Sequence, residues 1–281
     1  SAGAANVSIS SNNTVFSGNV YSSNNYITST SPLTTYTSTS SGRGSLLINQ
    51  NNELFGAGSL PLTLRSSPTQ VGALTNWLKV TAGGYHCLAI KTDGTLWTWG
   101  GNTYGELGQN STIKKSSPVQ VGALTNWNNP SCGWMQSYAV KTDGTAWAWG
   151  ANAYGQLGDG TTTSRSSLVN VTTNWGGGTG VTLVKVIGGY GNYTSAANAT
   201  GWTGMLLDDG TTTYLRTCGY NGNYELGDGS STSRSSPVIP YVGAGRIADV
   251  SFWGTGAAAV YVLKADGTLY VWGYNGYGQL G

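Results

Sequence analysis

Residues 91–100 read KTDGTLWTWG, and residues 141–150 repeat them as KTDGTAWAWG. In both stretches an Asp-Gly pair, Asp93-Gly94 or Asp143-Gly144, follows an apolar run. Asp-Gly is a strong two-residue hairpin signal because both positions tolerate positive φ. Beyond the turn, Trp97 and Trp99 fall on one face of a strand and Leu96 and Thr98 on the other. A looser third copy, KADGTLYVWG, spans 264–273. Working outward, SSPTQVGALTNW at 66–77 returns as SSPVQVGALTNW at 116–127, a single mismatch in twelve residues at an offset of 50. Repetition at that period marks a tandem array whose units each bury an apolar face on the next.

Two divergent copies extend the array. Asn49 to Gly58 has Asn51-Asn52 for Asp-Gly and Ala57 for the second Trp, and Asp209 to Gly219 gains three residues and puts Cys218 at that Trp position. Five units are countable, closing at Gly58, Gly100, Gly150, Gly219 and Gly273. Each reads as a β-branched apolar strand, a Gly-rich turn, a second apolar strand, the hairpin, the Trp strand, a loop and a Ser-Ser-Pro-Val segment in which Pro118 suits an edge strand. Four short strands per repeat of about 50 residues is the arithmetic of a propeller blade. The expected fold is therefore all-β, a β-propeller of tandem repeats with five recognisable units, six or seven if the N-terminal segment or further sequence contributes blades. Residues 1–45, rich in Ser, Thr, Asn and Gly with Arg43 as their one charge, read as an N-terminal arm or a degenerate blade, and 46–281 as the repeat propeller. The first unit lacks the long loop after its third strand, and the fourth is expanded between Trp175 and Asp209.

Trp99 to Gly108, Trp149 to Gly158 and Trp272 to Gly281 share the pattern W-G-x-N-x-Y-G-x-L-G, followed in the second unit by Ser-Ser-Pro118-Val. This resembles the repeat of the regulator of chromosome condensation family, and the resemblance covers residues 46–281. It implies a ring of blades, commonly seven. It also raises the family's namesake activity, nucleotide exchange on a small GTPase with chromatin attachment. His86 stands where that family's repeats frequently carry histidine.

Composition narrows the chemistry. Charged residues make up 9% of the chain, against roughly 25% in an ordinary domain, and 13 Lys plus Arg face 11 Asp plus Glu. Apart from Lys114-Lys115 no two basic residues are adjacent, so the basic stripe that nucleic-acid binding needs is missing, which also weighs against chromatin attachment. Cys87, Cys132 and Cys218 have no metal-ligand spacing and read as buried apolar residues. No 18-residue apolar stretch exists, so membrane insertion is not expected. The lone histidine, His86, lacks a recognisable triad context, and the recurrent aspartates beside glycine are explained by turns. No catalytic residue, metal site or cofactor is expected.

What varies between units is the turn before the second strand. Tyr85 and His86, then Trp134, Met135 and Gln136, then Tyr190, Asn192 and Tyr193 with Trp202 beyond them, then Phe252 and Trp253 form the candidate recognition surface. Exposed aromatics there would suit sugars or a protein contact. The alternative is that they plug the channel or the blade interfaces. The leading expectation is a non-enzymatic structural or recognition protein of a bacteriophage virion, a fibre, tail or capsid-surface component contacting other virion proteins or a host-surface glycan or protein. Low charge, Ser/Thr/Asn/Gly richness and near-identical repeats motivate it. A secreted or cell-surface bacterial propeller is the second reading, an exchange factor the third and a hydrolase the fourth.

Overall fold

The structure is a computed structural model that describes residues 6–10, 13–17, 20–22, 25–27, 37–41, 44–60, 63–189, 201–253 and 259–281. Among them every regular element is a strand. Two hairpins come first, β1 (Asn6–Ser10) with β2 (Asn13–Ser17) and β3 (Val20–Ser22) with β4 (Asn25–Ile27). Five antiparallel meanders follow, each pairing its strands in chain order. Blade one is β5 (Thr37–Ser41), β6 (Gly44–Ile48), β7 (Leu54–Leu60) and β8 (Thr63–Gln70), so it opens inside the polar N-terminal segment. Blade two is β9 (Trp77–Ala82), β10 (His86–Lys91), β11 (Leu96–Gly100) and β12 (Lys115–Gln120). Blade three is β13 (Trp127–Cys132), β14 (Gln136–Lys141), β15 (Ala146–Gly150) and β16 (Arg165–Asn170). Blade four is β17 (Thr182–Gly188), β18 (Trp202–Asp208), β19 (Thr213–Gly219) and β20 (Arg234–Val238), and blade five has β21 (Ile247–Trp253), β22 (Ala259–Lys264) and β23 (Leu269–Gly273). This is the all-β propeller architecture expected from the repeat.

The hairpins form where the sequence places them, but only the glycine takes positive φ: the turn closes from the Gly94 amide to the Lys91 carbonyl at 2.9 Å, and Asp93 acts through its side chain instead. Asp93 accepts the Thr95 amide at 2.9 Å and its hydroxyl at 2.6 Å, Thr95 in turn takes the Trp97 indole N–H at 2.8 Å, and Asp143, Thr145 and Trp147 repeat the chain of bonds. Gly94 sits at φ 78°, where a β-carbon would strike the Thr125 carbonyl of the adjoining turn. The Lys that opens each KTDG copy lies across the indoles, Lys91 Nζ 3.6 Å from the Trp97 centroid and Lys141 Nζ 4.3 Å from that of Trp147, a cation–π contact that lets its buried stem pack.

Burial orders the strands across blades two, three and four. First strands β9, β13 and β17 lie side by side and alternate in exposure, second strands are buried almost throughout, and fourth strands are largely exposed or half-buried. The first strand therefore faces the axis and the fourth forms the rim. The core lies at the junctions between blades. One cluster joins Leu46, Leu54, Trp77 and Trp99, the next Leu88, Ile90, Trp127 and Trp149, the next Tyr138, Leu157, Trp175 and Met205, and the last Leu206, Leu226, Val250 and Val260.

Blade four shows how a junction survives the loss of its Trp. In the regular case the Trp149 indole donates to the Glu106 carbonyl at 2.7 Å and lies against Gly108, and Trp272 does the same with the Glu225 carbonyl and Gly227. Cys218 cannot fill that slot. Trp175, at the start of the expanded segment, lies against Gly158 instead and donates to the Leu157 carbonyl at 3.3 Å.

Candidate recognition face

The register decides which loops share a face. His86 pairs with Gly100, Gln136 with Gly150, Trp202 with Gly219 and Ala259 with Gly273, so the turn before each second strand and the loop after each third strand emerge together. The Asp-Gly hairpins emerge opposite.

Three of the variable-turn candidates lie inside blade junctions. His86, Gln136 and Trp202 occupy the same repeat position and each reaches the next blade. His86 is 1% exposed, its Nε2 2.9 Å from the Ser137 hydroxyl, which itself donates to the Glu106 carbonyl at 2.7 Å. With that proton committed, Nε2–H is the donor, and burial pushes the imidazole pKa down to about 4. Gln136 donates to the Gly189 carbonyl at 3.2 Å and accepts the Met135 amide at 3.0 Å. Trp202 is buried edge-to-face on half-buried Phe252, centroids 5.8 Å apart.

Tyr85, Trp134 and Met135 are brought together with Ala151 and Tyr104 in one small cluster on the loop face, Tyr85 meeting Trp134 edge-to-face at 5.6 Å. Trp134 and Met135 are buried in it and Tyr85 is half-buried. Trp253 has its backbone in β21, but its side chain lies outside the described residues, as do Tyr190, Asn192 and Tyr193 altogether.

The exposed aromatics of this face are ones the sequence reading left as loop scaffold. Tyr104, Tyr154, Tyr220 and Tyr274 are half-buried, while Tyr224 is 56% and Tyr277 84% exposed. Tyr154 meets Tyr220 edge-to-face at 5.1 Å across blades three and four, and Tyr274 meets Tyr277 at 5.8 Å. Tyr104, Tyr154 and Tyr277 are the recurring Tyr of the Y-G-x-L-G loop, whose regularity read as architecture, whereas Tyr220 and Tyr274 follow the closing glycine of the third strand and Tyr224 replaces the loop's first glycine.

Polar side chains beneath hold these loops. Asn152 accepts the Leu157 amide at 3.0 Å and donates to the Thr161 and Thr163 carbonyls, and Asn102 and Asn221 repeat that pattern. Glu106, Gln156 and Glu225 accept the amides of Tyr104, Tyr154 and Asn223 at 2.8, 2.9 and 2.8 Å. Burial pushes the Glu106 carboxyl up to about 6 and raises Glu225 as well. Asp159 pairs with Arg165 at 2.8 Å and Asp228 with Arg234 at 3.0 Å. Their carboxyls are held below the usual range by bonds from Thr161 and Arg165, and from Ser230 and Arg234, which outweigh the opposing cost of burial. The carboxylates of this face are thus spent within it, whereas Asp93, Asp143, Asp209 and Asp266 are exposed on the hairpin face. Among the described residues no three His, Cys, Asp or Glu side chains stand together as a metal site.

Two models of the Regulator of chromosome condensation (RCC1) repeat match the chain, one at residues 77–106 and 247–279, the other at 93–140 and 143–173. Human WBSCR16 is similar in structure, with 21% identity and a TM-score of 0.65 over 82% of this chain and 58% of that one. Prp20p of Saccharomyces cerevisiae is similar at 17% identity and a TM-score of 0.66, over 83% of this chain and 56% of its own. The chain spans a little over half the length of these two propellers. At such identities the likeness is one of fold.

Proposed function

Because the chain carries tandem repeats of the regulator of chromosome condensation type, we propose that it is a non-enzymatic recognition module that docks a partner on its loop face. One observation carries this reading. The groups on that side that could do chemistry, His86, Ser137, Glu106 and Glu225, are buried and bonded into the scaffold, while tyrosine rings of the loops stand out from it. Catalysis needs a nucleophile or base that substrate can reach; binding needs rings that a partner can cover. Prp20p binds Gsp1p and histones, which accords with a propeller surface that serves as a dock.

The finer reading is a bacteriophage virion protein, of a fibre, tail or capsid surface, that touches a host surface or neighbouring virion proteins. Low charge, Ser/Thr/Asn/Gly richness and near-identical tandem copies support it. Purified particles tested by mass spectrometry and immunogold labelling should carry the chain at fixed sites in regular copy number, and added free protein should compete with particle adsorption to host cells. Recovery as free protein that accelerates nucleotide release from a small GTPase would replace this reading with the exchange-factor one.

A further inference from the structure

We infer that the loop face at blades three and four binds a neutral oligosaccharide. The inference rests on the recognition reading and names its partner's chemistry. Tyr224 is the first observation. Its loop position is glycine in three other units, Gly105, Gly155 and Gly278 at φ 88°, 81° and 75°, yet Tyr224 holds the same left-handed backbone at φ 65°. At Gly105 and Gly155 a β-carbon would also run into Ser166 and Ser235 of the following blade's fourth strand, a strand that blade five lacks among the described residues, so at Tyr224 the cost is in the backbone angle alone. A bulky residue in this region is an outlier, and such strain gathers at binding sites because folding alone does not favour it. The Tyr224 side chain is 56% exposed, so burial in the core is not what keeps it there.

Charge is the second observation, and it selects the ligand. Around Tyr224 the carboxylate of Glu225 is buried against the Asn223 amide, and Asp228 and Asp159 are closed on Arg234 and Arg165. A polyanion or a strongly charged peptide would find its counter-charges already committed. What is offered instead is phenol rings beside Asn223 and glycine, with Tyr154 and Tyr220 locked edge-to-face on the adjoining loops. A phenol has a flat apolar face and a polar tip. A pyranose ring matches it, with C–H groups on its faces and hydroxyls around its rim. An aliphatic peptide or a lipid would need a continuous apolar patch, which interleaved Asn and Gly interrupt.

The test is a printed array of neutral and of uronic- or sialic-acid-bearing oligosaccharides, read at low and high salt. The intact chain should bind neutral glycans with little salt dependence. Tyr224→Gly restores the residue that sibling loops carry, so its melting temperature should hold or rise while apparent affinity falls about fivefold or more; Tyr220→Ala provides a second reading of the same face. Absence of neutral binding, salt-sensitive binding to acidic glycans alone, or full affinity in Tyr224→Gly overturns the inference. A blank array with a Tyr224→Gly particle that no longer adsorbs to its host removes the sugar and leaves the recognition module. A blank array with adsorption unchanged in both variants removes both.

Discussion

At His86 the imidazole is shut between two blades, and its low pKa makes folding depend on pH. The unfolded imidazole binds a proton near pH 6.5 and the folded one near 4. Stability from this group is complete above the unfolded value and is lost as pH falls toward the folded one. Glu106 acts oppositely, since its folded carboxyl takes a proton near pH 6 and the unfolded one near 4.5. From pH 7 to 5 the histidine removes about 2 kcal/mol and the glutamate returns about 1 kcal/mol, at 1.36 kcal/mol per pH unit. Glu225, raised for the same reason, also returns stability, so the histidine is isolated by comparison with His86→Gln, against which the intact chain should lose about 2 kcal/mol more over this interval in denaturant melts. His86→Gln places there the side chain that Gln136 carries at the same repeat position, and in that variant stability should rise over the interval. A parallel fall in both proteins would show that another group controls the pH response. None of this was legible in Gly-Gly-Tyr-His-Cys, because burial and the Ser137 hydroxyl come from the next blade, 51 residues further on.

The Trp of the third strand is the unit of junction packing, and blade four shows that its slot matters more than its position in the chain. Trp175 fills the space that Cys218 leaves, so Trp175→Ala should open a large cavity and cost about 3–5 kcal/mol in chemical denaturation. Cys218→Trp alone should overpack the site and destabilise it by about 1–3 kcal/mol. Combined, the two changes should couple strongly, the double variant being more stable than the sum of the single losses. Simple additivity would mean that the two indoles do not share one slot. The missing Trp at 218 was evident from the repeat. Its replacement was not, because Trp175 precedes Cys218 by 43 residues and joins its cluster only when blades three and four pack together.

Across the molecule, each apolar cluster spans one junction, so stability should be close to a sum of nearest-neighbour terms. Truncation of Trp202 to Ala, in the cluster between blades four and five, should speed amide exchange in β17 to β23 and leave β9 to β12 near their original rates. Uniform acceleration in all blades would show instead a single cooperative unit. At this scale the repeat settled most of the fold by itself. Hairpin turns, strand alternation and glycine at positive φ are short-range properties, carried by residues a few positions apart such as Asp93, Thr95 and Trp97, and a period of 50 strings them into blades. Which aromatics face water was decided only when the blades were stacked. Exposure depends on what the neighbouring sheet covers, so His86, Gln136 and Trp202, from variable turns, became interior wedges, while Tyr277 of the regular loop and Tyr224, which replaces its glycine, became the outer face.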